Sequence, residues 1–525
     1  MRQALHIFKK DVRHLKLDIL IVLAAVAGFT ISVASPAASL TNPETTQGVT
    51  MALLTYLLPV AWWALIARLI YDEPLAVEQP FWVTRPYSRK SLLAAKVLFI
   101  VVFVNLPKLI GDALILLAYG FQIGPELGGL LWSQVLLMVL FALPVVALCV
   151  VTTGFVQLLI AIFALGLAAA GWNLAASELG ANVPWLALEW TRFCCMGVVV
   201  AAAALAIIAW QYARRDTARS RLITGGAVLL VLLVYMFLPW TAAFALQSRL
   251  SSQAIDVSTI RIGFDEGLKW GARALVNSGG DVELQVPLRI TGLTDQLILK
   301  PEGISATIEG PGGESWRADG PPPSHLRSVG DLISLHANVN STFYQKVKDQ
   351  PVRVRGSVYI TLYGNPRRTI IPIEDRATFH PTAGVGVCSA VRSNRHVILT
   401  CRSALKSRAD LVTFEFIGKH RFVAGALPSS FRTISFASPI SYSPFPAEAG
   451  LVPVTQYVSL AEVPKGVGDE REVRAFALEP VAHIKKDFEI AELRLTEFEV
   501  DDALPPSAPP RPRKAPVKAP RGPLR

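Results

Sequence analysis

Long runs of apolar residues fill the first half of the chain and stop at about Leu246. A helix needs roughly 20 mostly apolar residues to cross the hydrocarbon core of a membrane. Seven segments are long enough, at residues 17–36, 50–70, 92–119, 128–150, 154–172, 192–212 and 222–246. The pattern therefore predicts an α-helical membrane bundle of about seven transmembrane helices. Only a few residues around Thr152 separate the fourth span from the fifth.

Beyond about Ser251 the apolar residues recur at every second position, for example at residues 282–290 and 352–362. This period is typical of half-buried antiparallel strands, and the Gly, Pro and Asn residues between the runs are typical of turns. We therefore expect an all-β, β-sandwich-like domain at residues 251–377 and a second β domain at residues 378–500.

The chain ends in a basic, Pro-rich segment, residues 501–525. Such a composition cannot bury a core, so we expect a disordered tail. A solvated tail and a tail that contacts anionic lipid or cell-wall polymer are both compatible with this composition.

The first sixteen residues have a pattern of their own. Apolar residues recur there at steps of three and four: Leu5, Phe8, Val12, Leu15 and Ile19. Basic residues occupy the opposite side: Lys9, Lys10, Arg13 and Lys16. This pattern predicts an amphipathic helix at residues 1–16 that lies in the membrane interface, the alternative being a charged start to the first span. The first span also has features of a cleavable signal peptide, although its apolar run is long and more spans follow.

The basic residues predict the orientation of the spans. The net charge is +11, although only 17% of the residues are charged. Lys and Arg collect before the first span, between the second and third, and before the last, whereas the loops at residues 37–49, 120–127 and 173–190 contain none. With seven spans all basic segments lie on one side, which is then the cytoplasmic side of the inner membrane. The N-terminus is therefore expected inside and residues 251–525 outside. No recognition motif accompanies the charge, so no nucleic-acid partner is expected.

The loop between the second and third spans has a distinctive sequence. It begins with DEP at residues 72–74, continues with FWVTRPYSR at residues 81–89 and enters the next span with LLAAK at residues 92–96. This string resembles the first cytoplasmic loop of the permease subunits of bacterial ABC-2 type transporters. The resemblance covers about residues 1–213, and it includes the interfacial helix and six spans.

The resemblance implies that the loop forms a short coupling helix which docks on a separate ABC ATPase subunit. The residues that would carry this contact are Phe81, Trp82, Thr84, Arg85, Pro86 and Arg89. It also implies a dimer or heteromer of membrane subunits. The seventh span and the β region depart from the family's six-span pattern. Without the family, the aromatic residues of the loop can lie at the headgroups while its basic residues face anionic lipid, and this alternative stays open.

A charged pair lies near the middle of the third span, where Lys108 and Asp112 follow Pro107. A charge at that depth costs roughly 2.5–3.5 kcal/mol on insertion scales. The four-residue spacing lets the two side chains neutralise each other on one helix face. They either line a polar pathway or contact another span. The alternatives are a self-satisfied pair inside the bundle and a Lys108 side chain that snorkels toward the interface.

A short hairpin is predicted around Asn394 and Arg395. If these two residues form the turn, Cys388 lies directly opposite Cys401 at a site where side chains approach closely. An extracytoplasmic location favours a disulfide between them, and two reduced core cysteines are the alternative. Cys149, Cys194 and Cys195 lie in predicted spans, where we expect them to be packing residues.

Signatures of catalysis do not appear in the sequence. It contains no phosphate-binding G-x-x-x-x-G-K-[ST] loop, no H-E-x-x-H and no G-x-S-x-G. We therefore expect no catalytic site, metal site or cofactor in this chain, and any ATP hydrolysis would belong to a partner. The expected function is that of an ABC-2-like permease subunit in an export system. The alternative is a membrane-anchored extracytoplasmic scaffold or binding protein without transport activity.

Overall fold

The computed structural model describes the chain in segments. They are residues 2–34, 46–73, 88–178, 189–249, 251, 255–264, 273–276, 282–293, 297–320, 332–393, 396–404, 411–417, 453–462 and 471–498. The expected tail at residues 501–525 lies outside them. The structure confirms the coarse architecture, in which apolar helices are followed by a region of mainly antiparallel sheet.

Helices make up the N-terminal half. In chain order they are α1 (Arg2–His14), α2 (Lys16–Ala34), α3 (Thr46–Tyr71), α4 (Arg89–Ile100), α5 (Leu106–Ala118), α6 (Ile123–Leu136), α7 (Leu143–Val151), α8 (Phe155–Glu178), α9 (Glu189–Arg214), α10 (Thr217–Phe237) and α11 (Trp240–Ser248). Two π-helical segments, Val101–Asn105 and Leu137–Ala142, join α4 to α5 and α6 to α7. Each π segment ends two residues before a proline, Pro107 or Pro144. Since proline has no N–H and crowds the preceding turn, the helix hydrogen bonds shift there without breaking the helix.

Six helices in the described part of the chain are long and apolar enough to cross a membrane, against the seven expected. They are Lys16–Ala34, Leu53–Tyr71, Arg89–Ala118, Ile123–Val151, Thr191–Arg214 and Thr217–Phe237. The difference is the expected fifth span, for which the matching apolar stretch of α8 is the shorter Phe155–Gly171. At about 1.5 Å per residue this stretch alone falls short of a hydrocarbon core of about 30 Å, but α8 continues beyond it to Glu178. The expected break around Thr152 is present between α7 and α8.

The expected last span, residues 222–246, is divided in the structure. Helix α10 ends at Phe237, and a separate helix α11 starts after Pro239. Leu238, which precedes the proline, has an extended backbone (φ −68°, ψ 109°), as the proline ring demands of its neighbour. The apolar run is therefore continuous in sequence but not in structure.

Helix α1 is amphipathic, but its buried face differs from the expected one. Ile7, Asp11 and Leu15 are fully buried, whereas Leu5 is 48% exposed. Phe8 contacts the third span, with its ring centre 6.2 Å from that of Phe99. This face is turned toward α4 because Asp11 has a charged partner there. The pattern of apolar residues alone does not indicate this orientation.

The strands of the C-terminal half form two sheets. They are β1 (Arg261–Phe264), β2 (Arg273–Val276), β3 (Val282–Thr291), β4 (Ile298–Glu309), β5 (Ser315–Gly320), β6 (Leu332–Val339), β7 (Pro351–Glu374), β8 (His380–Thr382), β9 (Gly386–Ser393), β10 (His396–Ala404), β11 (Leu411–Ile417), β12 (Val454–Glu462) and β13 (Glu472–Arg494). The smaller sheet has the order β1-β3-β2, with β6 also on β3. The larger has the order β11-β13-β7-β9-β10-β12, with β4 on β7, β5 on β4 and β8 on β9. The expected alternation is confirmed in β3, where every second residue from Val282 to Ile290 is buried.

This region differs from an all-β antiparallel sandwich in two respects. A short helix, α12 (Ser341–Val347), contributes Phe343 and Val347 to the core beside β3, β6 and β7. Strands β7 and β9 pair in parallel, through Ile373 with Ala390 and Glu374 with Val391.

The boundary expected between residues 377 and 378 does not divide the strands into two independent groups. Strand β7 lines one core near Val354 and a second core at Ile371, and β13 lines the same two cores in reverse order. The strands pass between the cores at Gly364–Pro366 and at Pro480, where their register shifts. The end of the second expected domain therefore packs into the first.

The β region contacts one end of the helical bundle. The Arg402 guanidinium carbon is 4.6 Å from the ring centre of Tyr119, which caps α5, and Ala404 is buried with the core of the bundle. A second contact joins α11 to the larger sheet, where the ring centres of Phe244 and Tyr359 are 5.1 Å apart. Since Arg89 begins α4 and Tyr119 follows α5 in the same span, this end is opposite to the one that holds Arg89.

Candidate functional site

A network of buried charges lies at the end of the bundle opposite the β region. Lys96 Nζ is 2.9 Å from Asp11 Oδ2 and 3.3 Å from Glu73 Oε2, and it also donates a hydrogen bond to the Leu69 carbonyl. Lys10 Nζ completes the network at 2.9 Å from Glu73 Oε1. We call Lys10, Asp11, Glu73 and Lys96 the base network. Three of its members, Asp11, Glu73 and Lys96, are no more than 5% exposed.

The base network connects three elements at the two ends of the loop that resembles a coupling helix. Glu73 immediately precedes residues 74–87, and Lys96 is about two turns into the helix that follows them. Asp11 comes from α1, 85 residues before Lys96. The network therefore joins both ends of this loop to the N-terminal helix.

The carboxylates of the base network differ in their proton affinity. Burial raises the pKa of Asp11, although Lys96 opposes this shift. Burial acts in the same direction on Glu73, but Lys96 and Lys10 outweigh it and the net pKa of Glu73 is lowered. Glu73 is therefore the more firmly ionised of the two acids, because Lys10 donates a hydrogen bond to it at 2.9 Å but lies 3.7 Å from Asp11.

Of the residues expected in the coupling contact, Phe81, Trp82, Thr84, Arg85 and Pro86 lie outside the described residues. Arg89 is described, and its guanidinium donates hydrogen bonds to the carbonyl oxygens of Tyr212 (3.2 Å) and Ala213 (2.6 Å). These carbonyls belong to the last turn of α9, which carries partial negative charge. Arg89 thus joins the start of the third span to the end of α9, and its described contacts are with protein.

Lys108 and Asp112 form a buried ion pair inside the third span. Both side chains are no more than 2% exposed. Asp112 Oδ2 accepts no hydrogen bond from the described residues, so one oxygen of this carboxylate stays unsatisfied. One turn earlier, Asn105 Nδ2 donates to the Gln134 carbonyl at 3.0 Å, which links the two π-containing spans. The polar face is thus turned into the bundle.

The third span packs closely on the first beside this pair. A Cβ atom built on Gly111 would lie 2.5 Å from Thr30 Oγ1, so α5 approaches α2 at a point where only glycine fits without movement. This approach encloses the charged pair between helices.

The hairpin of β9 and β10 has the register that a two-residue turn requires. Cys388 pairs with Cys401, and their sulfur atoms form a disulfide. The next residue is Arg402, whose guanidinium lies over Phe379 (3.8 Å) as well as over Tyr119. The disulfide therefore sits beside the contact between the β region and the bundle. Of the three other cysteines, Cys149 is buried but Cys194 is exposed, so the expectation of a packing role is wrong for Cys194.

Sequence reasoning missed the base network. It noted Glu73 and Lys96 only as ends of a motif and placed Asp11 on neither face of α1. The available signal was a single acid, Asp11, in a strongly basic amphipathic segment, at a spacing of four from both Ile7 and Leu15. Among the described residues no group of three His, Cys, Asp or Glu side chains lies together as a metal site.

Comparison of the chain with protein-family models, with curated proteins and with solved structures found no match.

Proposed function

We propose that this chain is the permease subunit of an ABC-2-like export system and that it works with a separate ATPase subunit. The observation that carries the proposal is the base network. A loop that receives force from a partner must be fastened to the helices that it moves, and buried ion pairs resist separation because the charge that stays buried would be left uncompensated. The network fastens both ends of the loop at residues 74–87 to α1 and to the third span.

The two ends of the bundle support an inner-membrane orientation for this proposal. The end with α1, Arg89 and Arg214 is basic and therefore faces the cytoplasm, where an ATPase would dock. The β region contacts the opposite end through Arg402 and Tyr119, so it lies outside the cytoplasm. This arrangement requires α8 to cross the membrane as a seventh span. A dimer or heteromer of membrane subunits would complete the transporter.

A coupling experiment tests the proposal. The full chain is isolated from native membranes with its partners, and ATP hydrolysis is measured in the complex. Trp82→Ala with Arg85→Ala should loosen the ATPase or uncouple hydrolysis while membrane insertion stays normal. Lys90→Gln, which removes an exposed charge beside the loop, is the control. Unchanged coupling in the double variant would support the alternative in which the loop only contacts lipid headgroups.

A membrane-anchored scaffold without transport is the second candidate. The observation in its favour is the size of the β region, which has two hydrophobic cores of its own. Isolation of a stable native complex that contains no ATP-hydrolysing subunit would favour the scaffold over the permease.

A further inference from the structure

We propose that an exposed basic stripe on α1 binds the headgroups of anionic phospholipids in the leaflet next to the base network. The α1 stripe consists of Arg2, His6, Lys9, Arg13 and Lys16, and all five residues are exposed. Lipid binding at the α1 stripe requires that the helices are embedded in a membrane, but it does not require that the protein is a transporter.

The α1 stripe follows a single face of the helix. Its members are separated alternately by four and three residues, the spacing that keeps side chains on one side of an α-helix. The opposite side carries Ile7, Asp11 and Leu15, which are fully buried against the bundle. The stripe therefore faces away from the protein along the whole length of α1.

The same face continues into the first membrane span. Hydrogen bonds from Leu15 N to Asp11 O and from Ile19 N to Leu15 O, both 2.9 Å, carry the helical ladder across the bend between α1 and α2. Steps of three or four residues then continue along the same face through Leu20, Ala24, Ala27 and Ile31, all exposed. Leu20 is 62% and Ile31 is 71% exposed, as expected of residues that face lipid chains. One continuous face thus changes from apolar to basic at Lys16, at the depth where headgroups begin.

The charge on the α1 stripe is not neutralised by the described residues. The acids of the segment are turned elsewhere, since Asp11 is buried against Lys96 and Asp18 pairs with Arg68 at 2.8 Å. Neither Lys9 nor Arg13 takes part in an ion pair among the residues that the structure describes. A row of unpaired cations next to a lipid-facing surface complements anionic headgroups, and each basic residue near such a surface strengthens binding about fivefold.

The position at which the α1 stripe ends also indicates that lipid is its partner. If the stripe bound an acidic protein, this binding would not explain why the basic face continues directly into lipid-facing leucine and isoleucine. With lipid as the occupant, α1 connects the leaflet on one face to Asp11 and the base network on the other.

The test measures lipid selectivity of the purified full chain in phosphatidylcholine bilayers. Electron spin resonance of spin-labelled phosphatidylglycerol, compared with spin-labelled phosphatidylcholine, gives the ratio of their association constants. We expect the wild-type chain to prefer phosphatidylglycerol, and Arg13→Gln with Lys16→Gln to lower that preference by up to about 25-fold, which is about fivefold for each charge removed. High salt should remove it, because the attraction is screened.

A matched control removes two charges from the same end of the bundle. Arg214 and Arg219 are exposed but stack on Trp210, and Arg219 pairs with Asp216. Arg214→Gln with Arg219→Gln has the same net charge as the stripe variant and should keep the preference. Lys9→Gln alone should give an intermediate loss if a double variant is unstable.

Three results would overturn the proposal. The wild-type chain could show no preference for the anionic lipid. The control could lose as much preference as the stripe variant, which would indicate general charge attraction. The stripe variant could keep the lipid preference but lose an acidic protein subunit from native membranes, which would assign the stripe to that protein. Because the lipid assay contains no ATPase, the first two results do not bear on the proposed transport function.

Discussion

At the scale of single residues, Lys96 has three polar partners in the base network. It contacts two carboxylates and a backbone carbonyl in a site that is only 2% exposed. Lysine suits this position because its ammonium has three donors that can point in three directions.

Replacement of Lys96 by methionine should therefore be strongly destabilising. Asp11 and Glu73 would lose their shared partner inside the protein, and breaking a buried pair in this way costs about 3–5 kcal/mol. Thermal unfolding of the purified chain in detergent measures the loss. Lys90→Met, six residues earlier on the exposed face of the same helix, should have little effect. Equal melting temperatures for the two variants would show that the base network contributes no stability.

We expect His483 to make the stability of the β region depend on pH. Burial, with Lys300 nearby, lowers the pKa of His483, whose Nδ1 lies 3.0 Å from Thr361 Oγ1. The unfolded chain therefore binds more protons than the folded chain below a pH of about 6.5, and the free energy of unfolding decreases as the pH falls through that value. The melting temperature should drop between pH 7.5 and pH 5.5, and His483→Gln should reduce this drop. His6→Gln, which removes an exposed histidine, should leave it unchanged.

At the scale of elements, the contact between α2 and α5 depends on one glycine. Gly111→Ala should destabilise the bundle by about 1–3 kcal/mol, because the new methyl group would overlap with Thr30 Oγ1 and a β-branched residue has few other rotamers. Thermal unfolding is again the measurement.

Two further variants decide whether the overlap is the cause. Thr30→Ala in the Gly111→Ala background should restore most of the loss. Gly128→Ala in α6, where the space around the glycine is open, should be neutral or slightly stabilising. If Thr30→Ala does not restore stability, the destabilisation by Gly111→Ala has a cause other than the overlap with Thr30.

At the scale of the whole molecule, the β region and the base network lie at opposite ends of the bundle. We expect the C-terminal half to be extracytoplasmic, so protease added to spheroplasts should cut the β region, whereas the basic segments before the first span and between the second and third spans should stay protected. The bond between Cys388 and Cys401 should then be found by mass spectrometry of unreduced peptides from membranes. Protection of the β region from the protease would place it in the cytoplasm and would mean that the bundle has the opposite orientation, because Arg402 contacts Tyr119 at the end opposite Arg89.

The elements themselves could be predicted from the sequence. Apolar runs must become helices in lipid, because no water is present to satisfy the backbone and a helix satisfies it internally. The alternation in β3 and the pairing of Cys388 with Cys401 were also predictable, since period and turn length are local properties. The division of the last expected span also has a local signal, which is Pro239, but the apolar run continues on both sides of it.

Which faces and strands meet was decided only by the tertiary structure. Asp11 turns into the bundle because Lys96 and Glu73 compensate its charge, and those partners are distant in the chain. Strand β13 returns to the first core because its second half pairs with the first half of β7, which no local pattern specifies. Hydrophobic burial is non-directional, so sequence periodicity determines that a face is buried, while only the folded chain determines against what.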